Sequence, residues 1–173
     1  MIELEKTYLA KELPDLSNAK HKDMLDVYIP KDSVHPTLRL RKNGNEYEMT
    51  KKEPIDNDPS KQLEQTIPLT KSEFEELSQL AGKRVHKKRY LFEHKGRIAE
   101  IDVFLGGLEG LVLIDFEFEK EEEKDSFKMP DFCLVDITQE VFVAGGMICG
   151  KSYSDIKSDL ARFNYKKIDS KLL

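Results

Sequence analysis

Apolar and charged residues alternate through most of the chain. In the opening "IELE", residues i and i+2 of an extended strand share a face, so Glu3 and Glu5 project together while Ile2 and Leu4 project oppositely. The same rhythm returns with Arg39 and Arg41 between Leu38 and Leu40, with Lys87 and Arg89, with Glu100 and Asp102 around Ile101 and Val103, and with Asp115 and Glu117 around Ile114, Phe116 and Phe118. Lys52 shares the parity of Glu48 and Thr50, and Glu64 is opposite in parity to Leu63 and Ile67. These stretches predict strands around "TLRLRK", "EYEMTKK", "QLEQTI", "VHKKRYLFE", "RIAEIDVF" and "GLVLIDFEFE". The Asn-Gly in "KNGNE", residues 42–46, predicts a hairpin between the first two of them.

Two stretches switch to a helical period. Thr70 and Glu73 form a capping-box pattern ahead of Phe74, Leu77 and Leu80/Ala81, and Gly82 stops the run. Ile156, Leu160 and Phe163 form an apolar stripe that predicts a C-terminal helix over about 153–164. The acidic run at 119–127 reads as a solvated loop or a short helix, and the turn-rich "KKEPIDNDPSKQ", residues 51–62, as the least ordered segment. No repeat or composition break divides the chain, which predicts a single domain over 1–173.

Composition narrows the function classes. The 173 residues are 35% charged and 39% hydrophobic, with net charge −5, so generic binding to nucleic acid or to an anionic membrane is disfavoured. Cys133 and Cys149 lack CxxC spacing and the four histidines are scattered, which argues against zinc. Neither a basic-then-apolar leader nor an apolar run near 18 residues is present, and the expectation is a soluble, cytoplasmic protein.

An ordinary antiparallel sheet with one wet face accounts for the alternation. It accounts less well for the scarcity of neutral polar residues on the charged face. Nor does it explain why acid pairs come from the first strand and the last two, with base pairs between. A closed barrel with its charged face inward fits that segregation, giving an α+β fold: an antiparallel β-barrel with a charged lumen, flanked by helices. Unpaired charge there is costly. A divalent metal on the acids and a polyanion on the bases would resolve it, and all-oxygen ligands suit Mg²⁺ or Mn²⁺.

The segments "IELEKTYL", "LRLRKNGNEYEMTKK", "VHKKRY", "EIDVF" followed by "GLVLIDFEF", and "DIT" near 137 resemble, in order, those of the CYTH, or triphosphate tunnel metalloenzyme, superfamily. The resemblance implies a tunnel barrel that acts on triphosphates with a divalent metal. By this resemblance Glu3, Glu5, Asp115 and Glu117 would hold metal, and Arg39, Arg41, Lys52, Lys87 and Arg89 the phosphates. Glu64, Glu100 and Asp102 would be further tunnel-lining acids, and Tyr28 would assist the attacking water. Two positions depart from the pattern: Thr7 stands where the closing lysine of ExExK belongs, and Asp115 replaces a glutamate. Thr7 shares the inward parity of Glu3 and Glu5, whereas Lys6 does not.

The expected activity is metal-dependent hydrolysis of a small triphosphate such as tripolyphosphate, thiamine triphosphate or a nucleotide, by a monomer or homodimer. The alternatives are a class IV-type adenylate cyclase and a polyphosphate- or nucleotide-binding module without turnover.

Overall fold

The computed structural model describes residues 2–169; nothing is described of the side chains of Ile2 and Glu3. Among the described residues, nine strands and four α-helices follow one another: β1 Ile2–Ala10, β2 Lys20–Ile29, β3 Leu38–Asn43, β4 Glu46–Ile55, β5 Asp58–Leu69, α1 Lys71–Leu77, β6 Lys83–His94, β7 Arg97–Phe104, β8 Val112–Phe118, α2 Glu121–Ser126, β9 Cys133–Asp136, α3 Gly145–Ile148 and α4 Tyr153–Ala161. The sheet runs β5-β4-β3-β2-β6-β7-β8-β1 and closes where β1 returns to β5, with Ile2 opposite Leu63 and Leu4 opposite Lys61. Every pairing is antiparallel. β9 adds to the far end of β1, beside Tyr8–Ala10. The expected closed antiparallel barrel with helices around it is the observed fold, and closure removes the exposed edges that an open sheet presents.

Tight turns set the register. The β3–β4 loop is Gly44-Asn45 rather than Asn43-Gly44; Gly44 takes φ +62, the left-handed first position of a type II′ turn. Residues 51–62, read from the sequence as the least ordered segment, form instead the end of β4, a two-residue turn and the start of β5. Asp56 and Asn57 both have positive φ, 53° and 60°, the type I′ pattern that short polar side chains tolerate. The acidic run folds as α2. The α1 capping box is present, and Phe74 packs on Val27 and Leu40 outside the barrel.

The outward faces of β1, β7 and β8 are mostly apolar. Leu4, Tyr8, Ile101, Val103, Ile114 and Phe116 lie under Leu16, Phe127 and Phe132. Fully burying one such side chain contributes roughly 1.5–3 kcal/mol, so this cover holds the barrel closed. The inward rows change character along their length: two residues from Thr7, Asp115, Asp102 and Lys87, on the same face, lie Leu9, Leu113, Phe104 and Val85. These apolar ends pack against Ile148, Tyr153, Ile156 and Leu160 of α3 and α4. Charge is thereby confined to one part of the lumen. Among the described residues, no helix is long and apolar enough to cross a membrane.

Candidate active site

The lumen is a cavity of about 550 Å³. Glu5, Thr7, Tyr28, Arg39, Arg41, Lys52, Glu64, Lys87, Arg89, Glu100, Asp102, Asp115 and Glu117 all line it. Of the residues singled out from the sequence, Glu3 alone has its side chain outside the described part. Asp26, Glu48, Thr50, Gln62, Thr138 and Glu140 line it as well, and sequence reasoning did not assign them to the site. Lys6 points away from the lumen, 3.7 Å from Asp136 on β9.

Four neighbouring strands, β3, β2, β6 and β7, form a wall of compensated charge. Arg41 donates in a fork to Asp26, Nε to Oδ1 at 2.7 Å and Nη2 to Oδ2 at 2.8 Å. Arg89 does the same to Asp102, Nε to Oδ1 at 2.6 Å and Nη2 to Oδ2 at 2.7 Å, while its Nη1 donates to Glu100. Lys87 also donates to Asp102. Asp26 and Asp102 are each 1% exposed, a burial no carboxylate would tolerate without such partners. Burial alone would push the Asp26 carboxyl up, but the Arg41 charge and its hydrogen bonds hold it at about 2. Asp102 is likewise held far below the ordinary range, where Arg89 and Lys87 outweigh its burial. Lys87 is shifted the other way: its burial lowers its pKa despite Asp102.

Arg39 differs from its neighbour two residues on. Its contact with Glu48 is loose, Nη2 to Oε1 at 3.6 Å, and its Nε is buried without a hydrogen-bond partner. A buried unsatisfied donor costs roughly 1–3 kcal/mol. Lys52 lies 3.0 Å from Glu64 on the adjacent strand.

The β1–β8 wall sets acid against acid at one position. Glu5 sits directly opposite Glu117 and Thr7 opposite Asp115 in the register. Like charges at directly opposed positions destabilise a strand pair. The Thr7 hydroxyl donates to Asp115 Oδ1 at 2.7 Å, and the Thr7 amide donates to Thr138 Oγ1 at 3.1 Å. Arg89 Nη2 approaches Asp115 Oδ2 at 3.6 Å. Burial, with a further push from the Asp102 charge, raises the Asp115 carboxyl to about 6.

Among the described residues, no group of three or more His, Cys, Asp or Glu side chains is gathered as a ready metal cage. The donor set still fits a hard cation. Mg²⁺ is usually held by one or two carboxylates together with substrate phosphates, and the opposed Glu5 and Glu117 supply that number.

Tyr28 lines the cavity but is only 8% exposed, and it belongs to the apolar cluster at the α3 end. Its hydroxyl lies against Gly145, where any Cβ would collide with it. Burial raises its pKa, and the neighbouring Arg39 and Arg41 charges oppose that rise without cancelling it.

An antiparallel barrel with an acid wall facing bases across a closed lumen defines the class of tunnel proteins. No family model matches the chain. Over 144 residues it is 33% identical to an inorganic triphosphatase of Nitrosomonas europaea, covering 81% of this chain and 91% of that protein. It also superposes on the crystal structure of an inorganic triphosphatase with TM-score 0.63 and 26% identity, over 86% of this chain and 95% of that one. A Hippeastrum protein studied as an adenylyl cyclase, with a dominant triphosphatase activity, shares the fold at TM-score 0.52 and 12% identity, over 94% of this chain and 88% of that one. The chain belongs to the CYTH, or triphosphate tunnel metalloenzyme, superfamily.

Proposed function

We propose that this protein is a triphosphatase that hydrolyses the terminal phosphoanhydride bond of a small triphosphate and depends on Mg²⁺ or Mn²⁺. The observation that carries the reading is the pairing of two features in one lumen: the buried Arg39 Nε without an acceptor, and the acid-on-acid register of Glu5 with Glu117. The family relationship points the same way. Glu5, Asp115, Glu117 and, by its motif position, Glu3 would hold the cation. A bound divalent ion supplies charge neutralisation and Lewis-acid polarisation of the phosphate oxygens.

The chain's own residues position the substrate. Arg39 and Lys52 offer N–H donors to the phosphate oxygens, and the forks that Arg41 and Arg89 make to Asp26 and Asp102 fix the planes of their guanidinium groups. With its pKa raised, the Tyr28 hydroxyl stays protonated near neutrality, so it orients the attacking water by hydrogen bonding rather than by taking its proton. The transition state of phosphoryl transfer is loose, and such positioning supplies most of the catalysis. The reading includes a single domain over 1–173, working in the cytoplasm as a monomer or homodimer without generic nucleic-acid or membrane binding.

Phosphate release from tripolyphosphate, thiamine triphosphate and ATP, with Mg²⁺ and with Mn²⁺, tests the proposal. Release from at least one is expected. Cyclic AMP from ATP would make the protein a cyclase, and tight binding with no release under either metal would make it a binding module.

A further inference from the structure

Asp26 has no part in the site as read from the sequence, yet it sits among the lumen bases. Its register partners are Arg41 on β3 and Val85 on β6, so one flank is an arginine and the other is apolar. Arg41 is the side chain hydrogen-bonded to it, through both oxygens, and the pair is almost fully buried. Of the five N–H groups of a guanidinium, this fork uses two and leaves three for a ligand, in a plane the carboxylate dictates. Arg39, on the same strand and the same face, has no such fork and keeps an unpartnered Nε. Adjacent inward-facing arginines are therefore held in opposite ways, one rigidly compensated and one loosely.

We propose that Asp26 is a positioning residue, an internal counter-anion that fixes the Arg41 guanidinium and limits how tightly the lumen grips a polyphosphate; this rests on the triphosphatase reading. Its negative charge repels phosphate oxygens at short range while its two oxygens aim the arginine that receives them. Grip that is equal in ground and transition state lowers KM without raising kcat, and it retains product. Removing the charge while keeping the shape should strengthen the grip and loosen the aim.

The test is Asp26→Asn, measured in two ways. In tripolyphosphate hydrolysis with the divalent cation, KM and kcat should both fall, each by about tenfold for a difference near 1.4 kcal/mol. A fall in both is not what a merely structural lesion gives, since that lowers the amount of active enzyme and leaves KM alone. In calorimetric binding of tripolyphosphate in chelator, where no turnover is needed, Asp26→Asn should bind about tenfold more tightly than the wild type. Wild-type KM and kcat in the variant, or weaker binding, would overturn the proposal. If the wild type binds tripolyphosphate but hydrolyses no triphosphate, the functional reading fails while the binding comparison still decides the role of Asp26. Asp26→Glu keeps the charge and displaces the fork by one methylene, so kcat should fall with binding unchanged. Should the asparagine variant not fold, an unchanged kcat in Asp26→Glu overturns the positioning role on its own.

Discussion

The two walls of the lumen solve the same electrostatic problem differently. On the β2–β3 and β6–β7 side, Asp26 and Asp102 are buried and each is gripped by guanidinium or ammonium donors within the protein. On the β1–β8 side the register sets Glu5 against Glu117, and Arg89 Nη2 approaches Asp115 Oδ2 at 3.6 Å. One wall pairs its buried acids with bases of the chain, and the other sets two acids at directly opposed register positions. The difference teaches where rigidity ends and ligand dependence begins. Substitutions on the first wall should be felt in stability, and those on the second in cation dependence.

The largest break should come from Asp102→Asn. It leaves Lys87 and Arg89 buried beside a neutral amide, and removing one partner of a buried ion pair costs about 3–5 kcal/mol. At about 2–4 °C per kcal/mol for a chain of this size, Tm should drop by about 6–20 °C in a thermal melt.

The next effect belongs to the other wall and appears as pH dependence. The folded Asp115 carboxyl titrates near 6 against an ordinary value of 3.8, raised first by burial and then by Asp102. A raised folded pKa contributes stability that is present below the unfolded value and lost as pH rises through the folded one. In chelator, Tm should therefore fall between about pH 4 and pH 6, by at most about 3 kcal/mol in stability at 1.36 kcal/mol per pKa unit. Asp115→Asn should flatten that slope. Asp26, held at about 2, keeps its contribution throughout this window because a depressed carboxylate loses stability only as pH falls through its folded pKa.

The arginines sharpen the comparison within one strand. Arg39→Ala and Arg41→Ala should each lower kcat/KM by about 10- to 100-fold, the loss of a charge-assisted contact worth roughly 1.5–3 kcal/mol. Only Arg41→Ala should also lower Tm, because it strands Asp26 in the interior. Equal melting of the two variants would mean that the fork is not the support described here.

The smallest effect should come from Lys6→Ala. Lys6 contacts a half-exposed Asp136 at 3.7 Å outside the lumen, a pair worth about 0–1 kcal/mol. Kinetics should not change. A crippled enzyme would put Lys6 inside and shift the β1 register by one residue.

These walls were legible in the sequence wherever alternation was clean. "LRLR", "EIDV" and "IDFEF" betray their inward side chains because every other residue is apolar, and Leu40, Ile101, Val103, Ile114, Phe116 and Phe118 pack outside. Asp26 escaped because β2, "KHKDMLDVYI", mixes both faces: inward Lys22, Met24, Asp26 and Tyr28 alternate with His21, Asp23, Leu25 and Val27. The hairpin at 51–62 was hidden by its polarity. Its inward side chains line a charged lumen, and its Pro and Asn-Asp content reads as loop until Asp56 and Asn57 are seen to make the turn. The four-residue α3 has no period to detect. It exists because Gly145 and Gly146 admit Tyr28 and Pro36 at contact distances no side chain would allow.

The central claim is that the acid wall needs a cation for chemistry. Its most direct test is phosphate release from tripolyphosphate in excess chelator, followed by titration with Mg²⁺ or Mn²⁺, on the wild type and Glu5→Gln. No release in chelator, recovery on adding the metal, and a Glu5→Gln enzyme slower by about tenfold or more but equally stable are the predicted results. Full turnover in chelator, or a Glu5→Gln enzyme identical to wild type across the titration, would contradict it.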